Sequence, residues 1–168
     1  MAKSKWDYGN SWEKYPIESR PWVEAKTNSI VQVQDLFNGL PEFMLEADLI
    51  YCDPPWNTSM VNGYYTKAHM PDIRSNFKDL ISAFFNRIRQ INPKACYIEI
   101  GKQGVKRVAD MLKDIYPVVE VFDTFYYKTK PCHLVRGGYD RAKFSFNGLD
   151  EAPMVRGILE SEAFGCIA

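Results

Sequence analysis

Short apolar segments alternate with amphipathic helical segments along the middle of the chain, and this alternation limits the possible folds more than any other feature. In residues 72–91 apolar side chains recur at intervals of three and four, which is the period of a helix buried along one face. Residues 105–115 have the same period, whereas residues 95–100 and 118–128 are apolar runs typical of strands. Strands that alternate with helices predict an α/β fold, with a mostly parallel sheet and helices on both faces.

Less regular segments surround this core, and we predict that residues 1–168 form a single domain. The first 26 residues hold three of the four tryptophans and show no clean period. We interpret residues 1–26 as an irregular aromatic arm, whose tryptophans either pin it to the domain or form a base-stacking surface. The remaining predictions are a strand at 29–33, helical turns at 36–45, a strand at 48–52, polar loops after 128, a helix at 152–163 and the start of a strand at 165–168.

The chain carries no net charge, since 21 lysine and arginine residues balance 21 aspartate and glutamate residues. No whole-molecule field therefore draws it to nucleic acid, although a local basic face is enough for binding. The four cysteines include no Cys-x-x-Cys pair, which favours buried thiols in a reducing cytosol over a metal site. No run approaches the roughly 18 apolar residues that cross a membrane, and the first residues are too polar for a signal peptide. We expect a soluble, cytoplasmic protein with no metal and no membrane partner.

The sequence Asp53-Pro54-Pro55-Trp56, called the tetrapeptide below, directly follows the predicted strand at 48–52. Ligands of open α/β sheets bind at the carboxyl ends of strands, where these residues would lie. The prolines fix the backbone and donate no hydrogen bond, so a carboxylate beside a rigid carbonyl makes an all-acceptor clamp for an NH2 group. Trp56 offers a flat face on which a planar ring can stack. The tetrapeptide predicts a site for the exocyclic amine of an aromatic ring; the simpler interpretation is an Asp-Pro turn with a buried tryptophan.

The tetrapeptide resembles the signature of the amino-methyltransferases that use S-adenosylmethionine to methylate adenine N6. In that family Asp, Asn or Ser, two prolines and an aromatic residue follow a hydrophobic strand, and residues 29–56 also resemble the upstream order of elements. The resemblance implies a Rossmann-like methyltransferase sheet and S-adenosylmethionine as cofactor. It implies catalytic roles for Asp53, Pro54, Pro55 and Trp56, with Asp53 also forming part of the cofactor site.

The same resemblance implies adenine in DNA as the substrate. The permuted order, with the target-binding half first, resembles DNA enzymes, including many from phages and restriction systems, whereas tryptophan at the fourth position is shared with RNA adenine methyltransferases. Residues 57–70 would form a mobile loop over the base, and a basic patch at 126–138 would contact phosphate; the alternatives are packed tyrosines and a solvated loop. His69 and His133 receive no role. The candidate substrate-binding residues are Asn57, Tyr64, Tyr65, Lys128, Lys130 and Arg136.

The glycine-rich cofactor loop of that family is missing from this sequence. Residues 153–166 resemble the helix and strand that precede it, so the predicted sheet is incomplete, with an edge that a second subunit or another copy of the chain would complete. Gly101 and Gly104, between a strand and a helix, are either an alternative cofactor loop or an ordinary turn. Two functions stay open: an adenine-N6 methyltransferase, or a non-catalytic relative that binds nucleic acid or a partner without the cofactor.

Overall fold

The computed structural model describes residues 21–32, 34–67, 76–126, 130–142, 147–150 and 165–166. The chain divides into two compact units. One contains the residues up to Glu42 together with residues 57–87, and the other contains residues 43–56 together with those from Ile88 onward. That both units belong to one functional domain stays a prediction.

A two-stranded hairpin lies in the first unit. Strand β1, Trp22–Glu24, pairs antiparallel with strand β2, Ser29–Val31. The strand predicted at 29–33 is therefore confirmed through Val31. The arm predicted to be irregular over 1–26 contains regular structure at β1, while residues 1–20 lie outside the described residues.

A mixed sheet of six strands organises the second unit. In chain order its strands are β3 (Leu49–Cys52), β4 (Ala95–Ile100), β5 (Val118–Tyr126), β6 (Lys130–Gly138), β7 (Asn147–Asp150) and β8 (Gly165–Cys166). Their spatial order is β7-β5-β6-β4-β3-β8. β3 is parallel to β4 and β8, and β5 is parallel to β7, whereas β6 is antiparallel to both β4 and β5.

Three α-helices are described: α1 (Thr58–Lys67), α2 (Phe77–Ile91) and α3 (Val105–Lys113). The helix predicted at 72–91 is thus confirmed over Phe77–Ile91, with residues 72–75 outside the described residues, and the helix predicted at 105–115 is confirmed over Val105–Lys113. Shorter 3₁₀ segments precede β3 at Glu42–Glu46 and α3 at Lys102–Gly104. In the described part of the chain, no helix is both long and apolar enough to cross a membrane. The buried apolar side chains of α2 follow the helical period: Ile81, Phe84, Phe85, Ile88 and Ile91.

The mixed sheet confirms an α/β architecture and corrects the prediction of a mostly parallel sheet. The difference comes from β6, which lies where polar loops were predicted. Pro131, the terminal glycines and a basic residue in mid-strand all resemble loop sequence. Arg136 is nevertheless buried there, because its guanidinium donates to the Glu120 carboxylate and to the Tyr97 hydroxyl, each at 3.0 Å. Paired in this way, a charged side chain is compatible with a sheet interior.

Apolar side chains are buried on both faces of the sheet. On one face Leu49, Ala95, Tyr97 and Leu134 pack together. On the opposite face α3 packs against β5 and β6. Gly137 allows that approach, since a Cβ there would lie 3.1 Å from the Leu112 Cδ2 atom.

Three cysteines occupy neighbouring strands of the sheet. Cys52 lies on β3, Cys96 on β4 and Cys132 on β6, and all three are buried and outside disulfides. Their burial agrees with the interpretation of the cysteines as small apolar residues.

Candidate functional site

The carboxyl ends of β3 and β4 lie side by side. The parallel register places Tyr51 opposite Tyr97 and Cys52 opposite Ile98. The tetrapeptide therefore leaves the end of β3 beside the point where β4 ends and Gly101 follows. This is the sheet edge at which ligands of α/β folds bind.

Two contacts fix the indole of Trp56, one at its N–H and one on a face of the ring. Its indole Nε1 donates to the Asp53 Oδ1 atom at 3.1 Å. Its six-membered ring lies against Gly101, where a Cβ would be 2.7 Å from the Trp56 Cε3 atom. Gly101 has a φ of −68°, which any residue can adopt, so glycine is needed here for close approach and not for backbone conformation. The indole is thus fixed with respect to the carboxylate that precedes it.

Acceptors and an aromatic surface meet at this edge. The Asp53 side chain is exposed, and Pro54, Pro55 and Trp56 are half-buried. The carboxylate and the Pro54 carbonyl are acceptors, and neither proline has a backbone N–H. The hydrogen bond from Trp56 orients the Asp53 carboxylate. Chemically, this arrangement suits a planar ligand that brings N–H donors on its edge.

A buried carboxylate lies next to this edge, and sequence reasoning did not single it out. Glu99 is 1% exposed; its Oε2 atom accepts from the Tyr51 hydroxyl at 2.7 Å, and its Oε1 atom lies 3.8 Å from the Cys132 Sγ atom. The signal was available, because a glutamate interrupts an otherwise apolar strand at Ala95–Ile100. Such a residue needs a partner from a neighbouring strand, and Tyr51 on β3 is that partner.

The alternative cofactor loop between β4 and α3 does not have an open backbone cradle. A Cβ on Gly101 would meet Trp56, and a Cβ on Gly104 would lie 2.5 Å from the Ile100 Cγ1 atom. Side chains of the protein already fill the space that each glycine leaves. The structure therefore favours the interpretation of residues 101–104 as an ordinary turn.

Asn57 begins a helix. Its side-chain oxygen accepts the backbone N–H of Met60 at 3.0 Å, which is an N-cap of α1. The prediction of a mobile loop over 57–70 is wrong at Thr58–Lys67, where α1 lies. Tyr64 and Tyr65 belong to α1, but their side chains lie outside the described structure, as do residues 68–70.

The predicted basic patch is not one surface loop. Lys128 lies outside the described residues, and Lys130 begins β6 with its side chain also outside them. Arg136 is buried in the sheet, 3% exposed, with its guanidinium bonded to Tyr97 and Glu120, so in this structure its guanidinium is not on the surface. His133, which received no role, has its Nδ1 atom 2.9 Å from the Asp123 Oδ1 atom.

Strand β8 reaches the same edge from the other side of β3. Its register places Gly165 opposite Ile50 and Cys166 opposite Tyr51. Because the two strands are parallel, the carboxyl end of β8 points in the same direction as the start of the tetrapeptide. The strand predicted at 165–168 is confirmed at Gly165–Cys166; residues 167–168 lie outside the described residues.

No protein-family model matches the chain, and no curated protein matches it.

Proposed function

We propose that this chain transfers a methyl group from S-adenosylmethionine to the N6 amino group of adenine in DNA. The observation that supports the proposal is the fixed geometry of the tetrapeptide at the carboxyl end of β3, with the Trp56 Nε1 atom bonded to Asp53 and the ring lying on Gly101. The tetrapeptide resembles the signature of the adenine-N6 amino-methyltransferases, and it lies where α/β sheets bind ligands.

Each residue of the tetrapeptide has a part in this proposal. Asp53 and the Pro54 carbonyl accept the two N–H groups of the adenine amine. These acceptors favour a tetrahedral nitrogen and stabilise the positive charge that develops on it. Pro55 keeps this segment of backbone rigid, because its φ is fixed. Trp56 stacks on an adenine that has been flipped out of its helix.

The exposed Asp53 carboxylate, at the carboxyl ends of the parallel strands β3 and β4, fits a ligand that brings cationic or N–H groups. Asp53 is accordingly the described residue that would help to hold S-adenosylmethionine, which supplies the methyl group when bound. Holding both reactants at one edge converts their encounter into a step within one complex, which contributes to the acceleration.

An Asp53→Ala variant tests the proposal, with a control at the other end of the same strand. Asp48 and Asp53 flank β3 and both are exposed, but only Asp53 bonds to Trp56. We expect Asp53→Ala to lower methyl transfer by about 100-fold or more, by analogy with the loss of one preorganised donor from an oxyanion hole, which costs about that much. Asp48→Ala loses only a surface ion pair with Lys94 and retains activity. The measurement is transfer of labelled methyl groups to unmethylated DNA of mixed sequence, with N6-methyladenine identified by mass spectrometry.

The remaining outcomes separate the alternatives. Substantial activity in Asp53→Ala contradicts the assigned amine clamp. Transfer to RNA but not to DNA replaces the polymer and keeps the chemistry. If the wild-type chain transfers no methyl group but binds DNA with a steep dependence on salt, the non-catalytic alternative holds instead.

A further inference from the structure

Gly101 lies outside the tetrapeptide, yet it makes the closest approach to the Trp56 ring. Three atoms of the ring lie close to the position that a Cβ on residue 101 would take: Cε3 at 2.7 Å, and Cδ2 and Cζ3 at 3.4 Å each. Real Cβ atoms essentially never come within 3.0 Å of another heavy atom. The Trp56 ring can therefore lie as it does only because residue 101 has no side chain.

The same contact bears on Asp53 through the rigidity of the indole. The ring atoms against Gly101 and the Nε1 atom that donates to Asp53 belong to one planar group. The Nε1–Oδ1 distance of 3.1 Å is near the upper end of the usual range for N–H···O bonds. A ring that tilts or rises to avoid a methyl group at position 101 consequently lengthens or breaks this bond, and the indole no longer orients the carboxylate in the same way.

We propose that Gly101 is a positioning residue, which sets through Trp56 both the plane on which the base stacks and the orientation of the Asp53 carboxylate. This inference rests on the proposed function. It also explains why a glycine follows β4 where the backbone conformation does not demand one: a tryptophan from the neighbouring strand end lies on it.

Gly101→Ala tests the inference, with Gly104→Ala as the matched control. Both variants add one methyl group to the same turn, and both methyl groups meet a side chain, but the second meets Ile100 and not Trp56. The chain is labelled with 5-fluorotryptophan and observed by ¹⁹F NMR, with the Trp56 resonance assigned by its absence in Trp56→Phe. The chain has four tryptophans, so the variant spectra are compared resonance by resonance, and circular dichroism of each variant reports whether the fold is intact. We expect the Trp56 resonance to shift in Gly101→Ala and to keep its position in Gly104→Ala.

Methyl-transfer kinetics supply the second readout. We expect Gly101→Ala to lower kcat by roughly 10- to 100-fold, because a displacement of about 1 Å in a positioned group costs this much. KM for DNA should change less, since the stacking surface is moved and not removed. In a Trp56→Ala background, adding Gly101→Ala should lower the activity no further, because the two residues act as a unit.

Every result decides the matter. An unmoved Trp56 resonance in Gly101→Ala overturns the inference, as does a moved resonance with wild-type kcat, or additive losses in the double variant. If the wild-type chain has no methyl-transfer activity, the proposed function of the chain fails and the positioning role fails with it; the ¹⁹F shift then records only that Gly101 packs against the indole.

Discussion

At the scale of single residues, one packing device occurs at both ends of the sheet. Trp56 lies on the bare backbone of Gly101 and donates its N–H to a carboxylate. Tyr116 likewise packs against Gly137, and its hydroxyl donates to the Pro93 carbonyl at 3.1 Å. In each case a glycine admits the ring and a hydrogen bond fixes its rotation. The two rings differ in exposure to solvent: the indole is half-buried at the carboxyl end of β3, whereas the tyrosine is buried.

Burial of Tyr116 predicts a loss of stability in alkali. Desolvation raises the pKa of the Tyr116 hydroxyl far above its ordinary value of 10.0. Above pH 10 the unfolded chain releases this proton while the folded chain keeps it, so the free energy of unfolding falls as pH rises, by at most about 1.4 kcal/mol per pH unit. Below pH 10 this contribution is complete and constant. Urea unfolding between pH 8 and pH 11 measures it.

Two variants isolate the effect of Tyr116. Tyr116→Phe has no proton to retain, so its stability should decline less steeply above pH 10 than that of the wild type. Tyr139→Phe removes the hydroxyl of the neighbouring exposed ring, 5.6 Å away, and should keep the wild-type slope. Equal slopes in all three proteins would contradict the assignment to Tyr116.

At the scale of elements, periodicity predicted those parts whose apolar residues alone decide the structure. Helices α2 and α3 and strands β3, β4 and β5 were all predicted because burial of one face or of both faces leaves a pattern in the residues. Strand β6 was missed because its burial depends on Glu120 and Tyr97, which are distant in sequence and satisfy its arginine. Helix α1 was missed for a different reason. It has little apolar period, and its main signal was the cap at Asn57.

The candidate site, too, has a part that the local sequence predicts and a part that it does not. Local sequence predicted the tetrapeptide at the end of a strand, since both the strand and its stop are local. The contact of Trp56 with Gly101 and the bond between Tyr51 and Glu99 depend on the register of β3 against β4, which a single sequence does not state. Residues of a site contributed by another strand therefore needed the structure.

The cap at Asn57 has a measurable effect on α1. Asn57→Ala removes the acceptor for the Met60 N–H, and we expect it to lower the free energy of unfolding by about 1 kcal/mol. Asn57→Asp keeps an acceptor at the same place and should stay close to the wild type. Denaturant unfolding followed by circular dichroism compares the two. The substrate role that the sequence predicts for Asn57 stays a prediction, and a fall in DNA affinity for Asn57→Asp without loss of stability would support it.

At the scale of the whole molecule, the acidic and basic residues are equal in number, yet a charged side chain, that of Arg136, is buried inside the sheet. Arg136 on β6 pairs with Glu120 on β5 and with Tyr97 on β4, so one guanidinium links three adjacent strands. A buried ion pair of this kind contributes less to the free energy of unfolding than its short distances suggest. Removing either partner is nevertheless strongly destabilising, because the other charge is then left without a partner.

Arg136→Met should destabilise the molecule by about 3 kcal/mol, because it leaves the Glu120 carboxylate without its guanidinium. Lys102→Met, at an exposed position, should change stability by less than about 0.5 kcal/mol. Adding Glu120→Gln to Arg136→Met should recover part of the loss, as double-mutant analysis of a direct pair requires. If Arg136→Met is as stable as the wild type and instead lowers the salt dependence of DNA binding, Arg136 contacts phosphate after all.

Cys52, Cys96 and Cys132 are buried on three neighbouring strands, so the reactivity of their thiols can report how often each strand opens. A thiol reagent reaches these sulfur atoms only when the strand that carries them separates from its surroundings, so the rate of modification reports the frequency of that opening. Cys52 immediately precedes Asp53. Its labelling rate therefore measures how often β3 opens, the strand from which the proposed amine-binding tetrapeptide extends. The labelling rates of Cys96 and Cys132 measure the opening of β4 and β6 in the same way. Comparing the three rates, with and without DNA, would distinguish a ligand that closes one edge from one that stabilises the entire sheet.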